Sequence, residues 1–279
     1  MQFLNPCNDV AFKRIFGSEE HKRITISFLN SILEYTGEQA IKSIEFLNNE
    51  QLPQMIDKKD NVLDVCCTDQ VGNRYIVEIQ VGSVERFDKR MVFYGAKTYS
   101  MQLIKGRPYS ELMPVVTLAI VNFTMFSKKK SYKSIHHILD TKTHEHDIKE
   151  LTFAFVELKK FKKKEHELVT DEDKWIYFMK EIQKQDHVPA PLAADEFKEA
   201  CHVAERMTWP EEALNAYEDA FVRETDQEGG RKIAHKEGKA EGEMNKTIEI
   251  ARKLLARGTS IEIIAEDTGL PVDEIKKLS

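Results

Sequence analysis

Two carboxylates in this chain lie where a carboxylate is costly. Asp64 falls inside Leu63-Asp64-Val65-Cys66-Cys67, and Glu78 inside Tyr75-Ile76-Val77-Glu78-Ile79. A charge in so apolar a run needs a partner, because burying it alone is expensive. Side chains on a strand alternate between faces. Arg74, Ile76, Glu78 and Gln80 therefore share one face, and Tyr75, Val77, Ile79 and Val81 share the other, which reads as core. Gln70-Val71-Gly72-Asn73 joins the two runs as a hairpin connection. That turn sets Asp64 opposite Glu78 or just beyond it. Two converging carboxylates repel unless a cation or a shared proton holds them. Mg²⁺ (or Mn²⁺) suits such a pair, because a hard ion takes one or two carboxylates, keeps several waters and accepts phosphate oxygens. It would activate water and stabilise the charge that builds on a phosphate. The competing reading leaves Asp64 as a hairpin-edge residue and pairs Glu78 with Arg74 or Lys97.

The elements that must position these residues follow from periodicity. Residues 9–35 read as two helices, with Val10, Phe12, Ile15 and Phe16 and then Ile24, Phe28, Leu29, Ile32 and Leu33 at helical spacing. Asn8 is the expected N-cap, Gly17-Ser18 the break and Gly37 the stop. Asp9 either caps this helix beside Asn8 or adds an acidic group to the site. Strands are expected at 42–47, 61–69, 74–81, 112–123 and 152–158, and a helix at 84–104. Helix, three strands, helix and two further strands make an α/β core with a mixed sheet.

The formal net charge of −6 argues against a chain that coats nucleic acid by bulk positive charge. Two basic tracks are local exceptions: Lys128-Lys129-Lys130 with Lys133, and Lys159-Lys160-Phe161-Lys162-Lys163-Lys164. Each is either a solvated loop or a phosphate contact. His136-His137 and His144 with His146 lack the spacing that puts two imidazoles on one helix face, so a solvated loop or hairpin is expected there. The four cysteines, Cys7, Cys66, Cys67 and Cys201, read as reduced and mostly buried, with Cys66 and Cys67 on opposite strand faces. No apolar run reaches the ~20 residues of a spanning helix, and residues 1–9 lack a signal-peptide pattern. The expected address is cytoplasmic.

Residues 170–226 read as helical and Gly229-Gly230 as punctuation. Residues 231–257 carry a narrow apolar stripe of Ile248, Ala251, Leu254 and Leu255, which usually finds a partner helix. The stripe points to a homodimer through the tail. Residues 260–278 read as two short helices around Thr268-Gly269-Leu270-Pro271. They resemble a helix-turn-helix, but Asp273 and Glu274 open the second helix and disfavour base readout.

Asp64 followed after a hairpin by Glu78-Ile79-Gln80 resembles the signature of the PD-(D/E)xK nuclease superfamily, in the variant with Gln in place of Lys. Asn8-Asp9-Val10-Ala11-Phe12-Lys13, the stretch from Tyr94 to Gln102, Gly106-Arg107-Pro108-Tyr109 and Gly238-Lys239-Ala240-Glu241-Gly242 narrow the resemblance. They resemble the Rpn group, the recombination-promoting nucleases or PD-(D/E)xK family transposases. The resemblance implies a restriction-endonuclease-like core with a mixed sheet flanked by helices, plus a helical C-terminal extension. The expected division is a nuclease core at 1–168, a helical segment packed on it at 169–228 and a tail at 229–279. It implies a metal-dependent DNA endonuclease, linked to recombination or transposition. Asp64 and Glu78 would bind the metal, with the Ile79 carbonyl as a third oxygen. Gln80 would stand at the superfamily's lysine position, Asp9 would be an additional acid and Gln102 would face the site. Gln80 is neutral, so Lys13 or Arg74 would have to bring the missing charge. The alternative is a catalytically weak or inactive DNA-binding or assembly protein on a nuclease fold.

Overall fold

A computed structural model describes residues 1–47, 64–103 and 108–278 of the chain. It forms two compact units, Met1–Val222 and Arg223–Ser279. The first is built on one mixed sheet: β1 (Ile44–Phe46), β2 (Val65–Asp69), β3 (Arg74–Gln80), β4 (Val115–Val121), β5 (Lys133–Ile138) and β6 (Ile148–Glu157), in the spatial order β1-β2-β3-β4-β6-β5. β1, β2 and β3 form an antiparallel meander; β3, β4 and β6 run parallel; β5 returns antiparallel on β6.

Both sheet faces are covered, so β4 is buried at all seven positions. On one face α1 (Asp9–Phe16), α2 (Lys22–Leu33), α4 (Asp171–Glu181) and α5 (Asp195–Ala204) pack with Tyr75, Val77 and Ile79 into the larger core, where Phe12, Phe16, Phe28, Trp175 and Phe178 are buried. On the other face α3 (Phe87–Ser100) lays Phe87, Met91 and Tyr94 against Cys66, Ile76 and Phe155. α3 lies close to the sheet at Gly95, where a Cβ would meet the side chains of Phe153 and Thr117 at 3.2 Å. The alternation expected of Cys66 and Cys67 holds: they belong to opposite cores, and all four cysteines are free and buried.

The Asn8 cap is present, its side chain accepting the N–H groups of Val10 and Ala11. Gly17 closes α1 as expected, but α2 ends before Gly37, at Glu34 in the left-handed region. Residues 61–63 of the expected second strand lie outside the described residues, and Asp64 is a bend before β2 rather than a strand residue. β5, absent from the expected strands, carries His136 and His137 as half of the β5–β6 hairpin, so the hairpin reading is the observed one.

Gly229-Gly230 does not punctuate the chain. α6 (Glu211–Ala256) is helical through both, because neither glycine is asked for a conformation outside the helix. In the second unit Ala251 with Ile248, Leu254 and Leu255 packs against Ile264 of α7 (Ile261–Thr268) and Ile275 of α8 (Val272–Lys276). The narrow stripe thus meets its partner helices in the same chain. No helix among the described residues is long and apolar enough to cross a membrane.

Candidate active site

The strand register decides where the carboxylates meet. Val65 pairs with Val77, which brings Asp64 opposite Glu78. β2 does not extend through Asp64. Instead the Asp64 side chain turns into the ladder, and the Ile79 N–H donates to its Oδ2 at 2.8 Å. The Asp64 N–H in turn donates to Glu78 Oε1 at 3.3 Å. In a strand the N–H and C=O of one residue point to the same edge. The Ile79 carbonyl therefore points to the edge where Asp64 lies. Gln80 points its carbonyl the other way, accepting the Asn122 N–H of the loop after β4.

This pair is electrostatically uneasy. Glu78 is 6 % exposed. Burial raises its pKa to about 7, against the opposing charges of Arg90 and Lys13 and the Asp64 N–H. Burial, then Glu78, then Asp9 push Asp64 well above the ordinary carboxylate range. α1 answers this with a cation. Lys13, one turn after Asp9, sets its Nζ 2.7 Å from Asp9 and 3.5 Å from Asp64. Burial works against the Lys13 charge, but the two aspartates outweigh it and its pKa is raised. Asp9 is therefore not a spare cap, since Asn8 performs the capping and Asp9 faces Lys13 and Asp64.

Gln80 shares the Glu78 face of β3 and meets Arg90 of α3, whose Nη2 donates to Gln80 Oε1 at 2.7 Å. The Arg90 guanidinium lies over the Phe87 ring at 4.4 Å and 5.9 Å from the Tyr94 ring. Sequence reasoning missed Arg90. The available signal was its place beside the buried stripe of Phe87, Met91 and Tyr94, on the helix that directly follows the carboxylate strand.

Two expected participants lie elsewhere. Gln102 does not face the site. It follows α3, and its amide clamps the backbone of Met113, donating to the carbonyl at 2.8 Å and accepting the N–H at 3.0 Å. Met113 leads into β4, which begins opposite Arg74, so Gln102 is at the opposite end of the sheet from Gln80. α3 runs back antiparallel to β3, and its C-terminal end cannot return to the carboxyl end of that strand. Arg74 is at this far end too, four residues and about 13 Å from Glu78 along the strand. Of the two cations expected to compensate for Gln80, only Lys13 touches a site carboxylate.

The lysine tracks divide into two kinds. Lys133 pairs with Glu34 and Glu172, Lys160 with Glu157, and Lys163 with the buried Asp173. These three serve the fold. Lys128, Lys129, Lys130, Lys162 and Lys164 are exposed. Gln80, Val121 and Glu157 end the three parallel strands β3, β4 and β6 in register, so both tracks follow the same carboxyl edge of the sheet as Glu78.

Among the described residues no three His, Cys, Asp or Glu side chains are grouped to cage a metal ion. A hard divalent ion needs no such cage. Two carboxylates, a backbone oxygen and retained waters suffice. Asp64, Glu78 and the Ile79 carbonyl edge fit that requirement in donor chemistry, and the raised carboxylate pKa values are relieved by any cation bound between them.

No curated protein and no solved structure matches the chain. A family model described as PD-(D/E)XK nuclease family transposase matches residues 6–233. That span contains the whole sheet, both carboxylates and Lys13, and the chain belongs to this family.

Proposed function

We propose that the protein is a divalent-metal-dependent endonuclease that hydrolyses DNA phosphodiester bonds at Asp64 and Glu78, with a role in recombination or transposition. The observation that carries this reading is the buried, mutually repelling Asp64–Glu78 pair at the carboxyl edge of β3, joined through the Asp64 N–H. Bound between them, Mg²⁺ or Mn²⁺ would activate water and neutralise charge on the phosphate. Asp64 and Glu78 would hold the ion, and the Ile79 carbonyl lies on the correct edge to join them. The Ile79 N–H fixes the Asp64 carboxylate in advance of any ion. Lys13 lies 3.5 Å from Asp64 and would meet a phosphate oxygen when the metal takes its place beside that carboxylate. Lys128, Lys129, Lys130, Lys162 and Lys164 supply the charge that tracks the DNA backbone, which offsets the overall −6 only locally.

Homodimerisation through the tail has less support than the stripe suggested, since α7 and α8 cover it; Ile233, Met244 and Ile250 remain exposed on α6 for a second copy.

The test is plasmid nicking by the purified chain with Mg²⁺, beside Asp64→Ala and Glu78→Ala. Cleavage by the wild type alone supports the reading. Equal nicking by all three, or by none, overturns it and leaves the non-catalytic DNA-binding or assembly role.

A further inference from the structure

We propose that Arg90 is a positioning residue for Gln80, and that the two together present a directed donor to the scissile phosphate. The proposal rests on the nuclease reading above. A glutamine amide has one acceptor end and one donor end, and they exchange places unless a partner fixes them. Arginine has donors only. The 2.7 Å contact from Arg90 Nη2 therefore commits the amide to one orientation, with its oxygen on the guanidinium and its –NH₂ turned away from it. Hydrogen bonds in such a chain polarise one another, so an amide gripped at its oxygen by a cation is a stronger donor at its nitrogen. Gln80 then presents a directed, partly charged N–H donor two residues beyond Glu78 on the same face of β3.

The cation that drives this is itself held. Phe87, the first residue of α3, carries the guanidinium on its ring face at 4.4 Å, a geometry that favours a cation. Close packing at Gly95 fixes α3 against the sheet. Arg90 Nε is buried and has no hydrogen-bond partner among the described residues. The group served is a non-bridging oxygen of the phosphodiester, on which negative charge builds during attack by water.

Moving the charge tests the idea. Arg90→Gln removes the grip and the cation. Nicking turnover is expected to fall about 100-fold, the usual loss when one such donor goes, while DNA affinity in metal-free buffer changes by less than about threefold. The swapped variant, Gln80→Lys with Arg90→Gln, restores a charged partner to the pair with the cation now on the strand. It is expected to recover at least about tenfold of the loss. A merely structural Arg90 would not be rescued this way, and a swap no faster than Arg90→Gln overturns the proposal while leaving the nuclease reading intact. If wild type and Glu78→Ala are equally inactive, the nuclease reading itself has failed. Should Arg90→Gln not fold by thermal unfolding, Arg90→Lys carries the test, since it keeps the charge but loses the fork. Turnover at least about tenfold below wild type with unchanged DNA affinity supports the fixed amide, and wild-type turnover overturns it.

Discussion

Asp64 accepts the Ile79 N–H at 2.8 Å, in the ladder position that a backbone carbonyl of β2 would otherwise fill. The Asp64 side chain stands beside the first residue of β2, Val65, and the Asp64 N–H donates to Glu78. The two carboxylates are thus held through β3 backbone and through each other before any ligand arrives. Such preorganisation has an electrostatic cost in the metal-free chain, and that cost is measurable.

Glu78 should make the metal-free protein less stable as pH rises. Its folded pKa of about 7 lies above the ordinary carboxylate value, chiefly through burial. The folded state therefore binds a proton that the unfolded state has released, and stability falls between about pH 4.5 and 7 and levels off above. Glu78→Gln removes the titration while keeping an acceptor for the Asp64 N–H. At pH 8 it should melt higher than wild type, by a free energy of the order of a few kcal/mol, with the difference shrinking towards pH 5. Mg²⁺ or Mn²⁺ should raise the melting temperature of wild type at pH 8 and leave Glu78→Gln unmoved. A metal response that survives in Glu78→Gln would place the ion elsewhere.

Lys13 and Asp9 should behave unequally. Lys13 bridges Asp9 and Asp64, but the Asp9 side chain is 48 % exposed and the Asp64 side chain 11 %. Without Lys13 the half-exposed Asp9 carboxylate can turn to water, whereas that of Asp64 has much less room to do so. Lys13→Met should cut nicking at least about 100-fold, as loss of a transition-state donor does, whereas Asp9→Asn should stay within about tenfold of wild type. Equal losses would mean that Asp9 is a metal ligand in its own right.

The antiparallel hairpin, the alternation on β3 and the meeting of Asp64 with Glu78 were legible because they follow from period-two geometry and one turn. Asn8 was legible as a cap because its role is local. Arg90 was not, since its importance depends on how α3 crosses the sheet at Gly95, which is a tertiary fact. Gln102 was misassigned for the same reason: helical order along the sequence says nothing of which end of the sheet a helix end reaches. β5 escaped notice because its residues are only partly buried and polar, being an edge strand with one neighbour.

Gln102 should then matter for stability and not for cleavage. Its amide satisfies both backbone groups of Met113. Gln102→Ala strands that donor and acceptor, at a cost of about 1–3 kcal/mol, seen as a lower denaturation midpoint with unchanged slope. Nicking per folded molecule should remain within about twofold of wild type, because the amide is at the far end of β3 from Glu78. A hundredfold loss of nicking with unchanged stability would return Gln102 to the site.

The two lysine tracks should separate in the same experiment. Lys163 holds Asp173, whose side chain is 1 % exposed and closes the first turn of α4. Breaking a buried pair typically costs 3–5 kcal/mol, and the partial exposure of Lys163 reduces this to about 1–3. Lys163→Ala should therefore melt lower while its DNA binding keeps the wild-type salt dependence. Among the described residues Lys128, Lys129 and Lys130 pair with no acid, and Lys129 meets the Phe126 ring and His136. Their joint replacement by Ala should leave the melting temperature nearly unchanged. It should weaken DNA binding and flatten the slope of log affinity against log salt by roughly 1 for each phosphate no longer neutralised. The loop that carries them runs from the end of β4 to the start of β5, whose first residue pairs with Val156 next to the end of β6. DNA drawn along that loop would reach Gln80 and Glu78 across the end of β4. An unchanged salt slope in the triple variant would move the DNA path off this edge of the sheet.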